Sequence, residues 1–415
     1  MKNQIQKILE EQKEIQEFLL TCLQSEIEDI CQNLDQKILV IQNDYQKFKF
    51  LLYIIAKISN IQQKSDIYGK IEIILKLLKD GIQNHFSNSK IFNIFKCNKR
   101  IILFLLEEKI INIDQYIFTI MTTQEKYIEY NYPQYFQPEL KNFIDSHQSK
   151  IYLKDKNQKT DQLSVIKCCE CDLSEKLSPN FFEERKIGQN NDYLCQLIRN
   201  DSVVEFISYT NKKNLSYENQ INHSIFETNQ FLLKNKKTTF IEYAAFFRSI
   251  QIFQYLQNNG VKLTPSIWLY AIHGNNASII RLLEENHVEP TDKTYKQCLK
   301  ESIKLHHNDI ALYIIENYIQ SDSMNNQDIC IDCLKYYNFA MIPKDANIDH
   351  SLFGCLCKYD YYEIVNILLK KGDFDVNMYY EYIYNGKNFN NIQISIDSIK
   401  FYLIKIQQHL TFKHL

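Results

Sequence analysis

The chain of 415 residues is long enough for about three domains of roughly 150 residues each. Apolar residues make up 45% of it and charged residues 24%, a globular composition that excludes a disordered or fibrous chain. The net charge of −2 excludes a bulk cationic field for nucleic acid or anionic lipid. Only 8 glycines and 6 prolines are present, too few for the many tight turns of an all-β protein, so we expect helices.

The first 40 residues predict one amphipathic helix. Its apolar residues recur at helical spacing: Ile5, Ile8, Ile15, Leu19, Leu23, Ile27, Ile30 and Leu34. Such a stripe fits a cap on the N-terminal end of a helical stack, which we favour, or a coiled-coil handle. No apolar run of a secretory signal occurs here, and the strongest apolar runs, at 50–55 and 101–106, are far shorter than the ~20 residues of a membrane span. We therefore expect a cytoplasmic protein with no membrane partner.

Segments of the N-terminal region can be aligned with repeats that follow later in the chain. Residues 71–81 align with 362–372 without a gap, and residues 95–108 with 272–285, where both end on Leu-Leu-Glu-Glu. Residues 51–58 would supply a first helix for the earlier of these units. The N-terminal region is therefore predicted to consist of diverged helix pairs. The alternative is that amphipathic helices match here by chance.

The second half of the chain repeats itself at short intervals. Residues 243–261 align with 270–288 without a gap, a shift of 27 that places Ala244 on Ala271. A third copy, residues 301–318, follows at a shift of 31. Self-similarity at such a period is the signature of a repeat protein.

Two further copies extend this array in both directions. Upstream, residues 195–207 align with 271–283 without a gap, so that Cys195 falls on Ala271. Downstream, residues 352–377 follow the third copy at a shift of 54, with a degenerate segment at 328–340 between them.

Each copy predicts a short helix, a polar break and a second helix with a broad apolar stripe. In the second copy the stripe consists of Ile279, Ile280, Leu282 and Leu283. A unit of this size cannot bury its stripe alone and must stack on its neighbours. The predicted fold class is therefore all-α, a helical-pair solenoid.

These copies resemble ankyrin repeats, whose pattern runs T-P-L-H-x-A-A-x-x-G, then E-[IV]-V-x-L-L-L and G-A-D-x-N. Residues 239–263 match it at Thr239, Ala244, Ala245, Ile252, Leu256 and Gly260. Residues 352–377 match it at Glu363, Ile364, Val365, Leu368, Leu369, Gly372, Asp375, Val376 and Asn377. Over nearly its whole length the chain also resembles the large protist families of ankyrin proteins with an uncharacterised N-terminal region. The tetrad reads Thr239-Phe240-Ile241-Glu242, so we expect the family's Thr–His hydrogen bonds between neighbouring turns to be missing.

Pattern and resemblance together divide the chain into four parts. These are a helical N-terminal region with diverged helix pairs at 1–147, a linker at 148–190, an ankyrin-repeat array at 191–377 and an irregular tail or cap at 378–415. The linker is assigned where periodicity is lost and charge rises.

The cysteines carry the one alternative chemistry. Twelve cysteines scattered along a chain without secretory features indicate reduced, buried thiols. Cys168, Cys169 and Cys171 form the densest cluster, and Cys195 is the nearest fourth ligand for a metal-dependent protein or enzyme. A zinc site typically uses two spaced pairs, and no second pair follows nearby, so we expect no metal. The adjacent His306 and His307 fit a polar turn between helices.

The chain lacks the phosphate-loop, dinucleotide, zincin and hydrolase motifs, so we expect no cofactor and no enzyme. Stacked repeats generate a long binding surface from their short helices and turn tips, which predicts a scaffold for a protein partner. The predicted partner-binding residues lie on turns and first helices: Lys262, Trp268, Tyr270, His273 and Glu289. Balanced charge and the lack of a repeated basic position argue against nucleic acid. The oligomeric state and the partner's identity stay open.

Overall fold

The computed structural model describes residues 2–25, 41–59, 65–154, 177–319, 326–343 and 348–372, with short strands at 383–384 and 387–388. Within these residues the elements are helices, apart from an antiparallel ribbon of two residues per strand, β1 (Ile383–Tyr384) and β2 (Lys387–Asn388). The predicted all-α class is therefore confirmed for this part of the chain. None of the helices described there is long and apolar enough to cross a bilayer.

The chain divides into two units. The terminal unit comprises Met1–Thr21, Gln46–Ile54 and Thr294–Leu415, and the central unit comprises Cys22–Tyr45 and Ile55–Lys293. Helices α1 (Lys2–Gln24) and α2 (Tyr45–Ile58) supply residues to both.

This division differs from the one that the sequence suggested. The change of unit falls at 293, inside the predicted array, because the residues that follow it pack with the first residues of the chain. Residues 155–176 of the predicted linker lie outside the described residues, as does most of the predicted tail at 378–415. The linker and the tail therefore stay predictions.

The central unit begins with a run of mostly short helices, some of which start at a side-chain cap. They are α3 (Ser65–Leu77), α4 (Lys79–His85), α5 (Asn88–Phe95), α6 (Lys99–Glu107), α7 (Gln115–Thr123), α8 (Glu125–Glu129), α9 (Tyr132–Tyr135), α10 (Gln137–Lys154) and α11 (Phe181–Ile187). Ser87, Asn98 and Asp114 each accept a backbone N–H in the first turn of the helix that follows, which fixes where α5, α6 and α7 start. Helices α5 and α6 pack as a pair, and α5 also packs on α7.

The predicted alignment of residues 95–108 is off by one position. Ile101, Ile102 and Leu105 are among the buried residues of α6, and they correspond to the buried Ile279, Ile280 and Leu283 of α18. The helix caps set this correspondence, because both helices begin after a capping asparagine, whereas the predicted alignment matched their Leu-Leu-Glu-Glu ends.

All but one of the remaining helices of the central unit come in pairs. They are α12 (Tyr193–Arg199) with α13 (Val203–Lys213), the single turn-and-a-half α14 (Gln230–Lys234), α15 (Phe240–Phe247) with α16 (Ile250–Asn258), and α17 (Ile267–Gly274) with α18 (Ala277–Glu285). The two helices of each pair pack on each other, and the first helix α15 packs between the first helices α12 and α17.

The terminal unit repeats this arrangement. Its helices are α19 (Lys296–Lys304) with α20 (Asn308–Tyr318), α21 (Asn326–Tyr336) with the 3₁₀ turn η1 (Phe339–Met341), and α22 (His350–Lys358) with α23 (Tyr362–Lys371). Here α21 packs between α19 and α22. First helices therefore stack on first helices in each unit.

One backbone turn joins the two helices of every pair from α12 onward. A residue with positive φ ends the first helix, and the next residue donates its N–H to the carbonyl five residues back, at 2.9 to 3.2 Å. The residues with positive φ are Asp201, Arg248, Asn275, His306, Tyr337 and Asp360. The segment 328–340, predicted to be degenerate, has the same turn but a 3₁₀ turn in place of a second helix.

This turn also corrects the predicted alignment of residues 195–207. Leu197 O accepts the turn's hydrogen bond, as Ala271 O does in the later copy. Leu197 therefore corresponds to Ala271, two residues away from Cys195, which the alignment had placed there. Side-chain similarity misled the alignment, because the turn is defined by backbone conformation.

Within each unit, the carbonyl three residues before a positive-φ residue is also approached by the copy that follows. Ser249 Oγ donates to Ile198 O, Asn338 Nδ2 to Ile303 O at 2.9 Å, and Tyr361 Oη to Leu334 O at 2.7 Å. At the remaining step, Gly274 lies so close to Ala245 O that a Cβ would stand 2.5 Å from it. The two steps within each unit thus meet at the same carbonyl position.

Glu242 adds a second tie between copies in the central unit. Its carboxylate accepts the N–H and the hydroxyl of Thr239 at 2.8 and 2.9 Å, which completes a capping box at the start of α15. The other carboxylate oxygen accepts the hydroxyl of Ser266, in the next copy, at 2.6 Å. Glu242 therefore holds two consecutive helix starts together.

We expected the N-terminal helix to cap the N-terminal end of a stack. Instead, it packs on helices of the terminal unit. Gln16 Nε2 donates to His306 Nδ1 at 2.9 Å and to Asn338 Oδ1 at 3.1 Å, and Gln16 Oε1 accepts the Ala340 N–H at 3.1 Å. His306 and His307 form the turn between α19 and α20, in line with the sequence-based expectation. The amphipathic stripe of α1 thus serves as part of the fold.

Candidate interaction surface

Two of the predicted partner-binding residues are exposed on loops that follow second helices. Lys262 lies after α16 and Glu289 after α18, and the shift of 27 makes their positions equivalent. Successive copies therefore present opposite charges at the same place. We call these two loops, residues 259–266 and 286–293, the outer loops.

Trp268 is fully buried, and its indole N–H donates to Val288 O at 2.6 Å. The ring therefore fixes the start of the outer loop that carries Glu289. It supports this surface from below and does not lie on it.

Tyr270 and His273 are buried beneath a segment of the same chain. The ring of Phe231, on α14, stacks on His273 with centroids 3.8 Å apart and meets Tyr270 edge-on at 4.8 Å. The Tyr270 hydroxyl is hydrogen-bonded to Thr238 Oγ1 at 3.0 Å. In these copies the face of the first helices is therefore covered by the connection at 214–239.

That connection was missed in the sequence, although the aligned copies show a longer spacing there: Cys195 and Ala244 are 49 residues apart, whereas Ala244 and Ala271 are 27 apart. The turns in the structure show the same difference. The positive-φ residues Asp201 and Arg248 are 47 residues apart, whereas Arg248 and Asn275 are 27 apart. The extra length holds α14, which Asn229 caps by accepting the N–H groups of Phe231 and Leu232.

Buried charged groups anchor the connection on the helices before it. Lys99 Nζ donates to Ile225 O at 2.8 Å and to Tyr130 O at 3.0 Å, and lies 4.8 Å from the centre of the Tyr135 ring. Glu227 Oε1 accepts the two following backbone N–H groups at 2.9 and 2.8 Å, while Glu227 Oε2 has no hydrogen-bond partner within the described ranges. Burial raises the pKa of Glu227, although Arg199 and Lys99 oppose the rise.

The buried Lys99 predicts a pH-dependent stability. Burial lowers the pKa of Lys99 from 10.5 to about 7, against the opposing attraction of Glu227. Between these values the unfolded state binds more protons than the folded state, so the lysine's destabilising effect fades and stability rises with pH. Urea unfolding at about pH 7 and about pH 9 should show wild type gaining stability relative to Lys99→Met. A difference that does not change with pH would contradict this assignment.

The thiols predicted as the alternative metal site divide into two sets. Cys168, Cys169 and Cys171 lie outside the described residues. Cys195 is buried, and burial raises its pKa to about 12, so without a metal it is protonated near neutral pH. Within the part of the chain that the structure describes, no group of three or more His, Cys, Asp or Glu side chains is placed to hold a metal ion.

Comparison with known proteins does not assign the surface to a family. No family model matches the chain, and no curated protein and no solved structure shows significant similarity to it.

Proposed function

We propose that the chain is a cytoplasmic, non-catalytic scaffold of ankyrin-type repeats that binds a protein partner through the outer loops of its central unit. The observation that carries the proposal is the recurrence of one helix–turn–helix unit whose outer loops stay exposed and in register. Lys262 and Glu289 occupy equivalent places on these loops. Side chains on such loops can vary without disturbing the buried stripes, which is how repeat proteins acquire partners.

The ankyrin assignment is supported by the short first helix, the recurrent turn and the link through Glu242. In the family pattern the fourth position of the tetrad is a histidine that pins neighbouring turns. Here Glu242 stands at that position and bridges Thr239 and Ser266. The Glu242 carboxylate thus links neighbouring helix starts, a role that the histidine has in the family pattern.

The binding surface in this proposal is narrower than the one expected from the sequence. Trp268, Tyr270 and His273 meet residues of the same chain, so they are assigned to packing. Lys262 and Glu289 stay as the proposed contact residues.

Charge reversal in the full chain tests the proposal. A photo-crosslinking residue at position 262 or 289 should capture the same protein from native lysate, and the same residue at the exposed Lys141 on α10 should not. With that partner purified, Lys262→Glu combined with Glu289→Lys should weaken binding by about three- to tenfold without changing the melting temperature. Equal capture at all three positions, or unchanged affinity in the double variant, would reject the outer loops as the binding surface.

A further inference from the structure

The outer face of α20 carries an exposed apolar centre with an acidic residue on each side. Its exposed positions recur at i, i+3, i+4, i+7 and i+8: Asp309, Leu312, Tyr313, Glu316 and Asn317. Leu312 is 47% exposed and Tyr313 is 39% exposed. This spacing places the five side chains on one stripe of the helix.

The equivalent position is polar on the two second helices that precede α20, whereas on α13 it is the half-buried Ile207. The recurrent turn places Leu312 at the position of Gln254 on α16 and of Arg281 on α18, and both of these are exposed. The exposed leucine therefore differs from the residues at this position in the two copies before it. It contributes less to the core than a buried leucine and leaves apolar surface in water.

Tyrosine rings extend the apolar centre beyond the helix. The ring of Tyr313 meets that of Tyr318 edge-on, with centroids 6.1 Å apart, and Tyr318 stacks on Tyr295 at 4.0 Å. Leu312 and these rings form what we call the α20 patch. Aromatic side chains of this kind bring contact area at a low cost in conformational entropy.

The charges beside the patch have one sign. Asp309 and Glu316 are both exposed, and neither forms an ion pair with a residue that the structure describes. They are seven residues apart, which is about 10 Å along a helix. A complementary surface therefore needs aliphatic side chains at its centre and positive charge at both ends.

We propose that the α20 patch binds a helix of a protein partner that carries lysine or arginine two turns apart, with aliphatic residues between them. Two basic residues at i and i+7 are separated by the same distance of about 10 Å, so each meets one carboxylate while the aliphatic pair covers Leu312 and Tyr313. This inference rests on the proposed scaffold function. It states which kind of partner would bind the α20 patch, a second surface of the scaffold.

The test uses the full chain and a synthetic probe. The probe is an alanine–glutamine helical peptide with two lysines seven positions apart and two leucines midway between them; its control has the same composition in a scrambled order. Titration should show binding of the probe and not of the scrambled peptide. Leu312→Gln, which installs the residue found at the α16 position, should weaken binding by about tenfold.

Matched variants isolate the contribution of the α20 patch to binding. Arg281→Gln, at the equivalent position of α18, should leave the affinity for the probe unchanged, as should reversal of Lys262 and Glu289. Asp309→Asn with Glu316→Gln should weaken binding and remove most of its dependence on salt. Equal binding of the scrambled peptide, or no effect of Leu312→Gln, would overturn the inference, and so would a dimer of the full chain that Leu312→Gln dissociates. Loss of outer-loop crosslinking alone would count against the scaffold proposal and leave this binding measurement standing.

Discussion

Gly274→Ala is expected to destabilise the central unit by about 2–4 kcal/mol. Gly274 is the last residue of α17, and a Cβ at this position would lie 2.5 Å from Ala245 O and 3.0 Å from Phe246 O. Both atoms belong to the backbone of α15, so the first helices of two copies would have to move apart. Because these helices stack directly on each other, the shift would disturb the packing that each copy depends on. Urea unfolding of the full chain, followed by circular dichroism, measures the loss.

Gly69→Ala is the matched control. Gly69 lies inside α3 of the same unit, and a Cβ there would meet nothing within 4 Å. Alanine has a higher helix propensity than glycine, so this change should leave stability unchanged or raise it by up to about 1 kcal/mol. Similar losses at both glycines would show that the close approach of α17 to α15 is not what Gly274 serves.

The helix pairs were predictable because their signal is local. The apolar stripes of α16 and α18 follow helical spacing and recur after 27 residues, so the alignment places both pairs correctly. The turn between helices was not predictable in the same way. Six copies put Asp, Arg, Asn, His, Tyr and Asp at the positive-φ position, so no shared side chain marks it. For the copy at 195–207 the alignment therefore slipped by two residues.

The candidate surface was predictable in part, for a related reason. Register alone places Lys262 and Glu289 on equivalent loops, and charged side chains on loops stay exposed. Trp268 and Tyr270 were selected because the register places them on a first helix, but an aromatic ring with one polar atom suits a core as well as an interface. What decides between the two is the connection that brings Phe231 onto the first helices, and no local pattern in 214–239 indicates where that segment packs.

The packing of α1 shows the same limit over a longer distance. The apolar stripe of α1 correctly predicts a buried face, but it does not identify the residues against which that face packs. The hydrogen bonds of Gln16 join residues about 300 positions apart in the chain. Contacts between residues so far apart in the chain depend on the whole fold, so a local sequence pattern cannot predict them.

Gln16→Met is expected to destabilise the terminal unit by about 3 kcal/mol. The side chain is fully buried and makes three hydrogen bonds, to His306, Asn338 and the N–H of Ala340. Methionine fills a similar volume, so the main loss is the pairing of buried polar groups, each worth about 1–3 kcal/mol when its partner is removed. The Ala340 amide should also lose protection from hydrogen exchange, which ties the effect to this contact.

Gln12→Met on the same helix provides the comparison that isolates the network. Gln12 lies one turn before Gln16 and is also buried, but its Oε1 atom accepts no hydrogen bond from the described residues. Replacing an amide that is only partly satisfied should cost less than about 1 kcal/mol and leave the Ala340 amide protected. If the two variants lose equal stability, the cost belongs to the packing of α1 in general. If only Gln16→Met loses stability, the side-chain amide of Gln16 is the group that joins the start of the chain to the turns of two later copies.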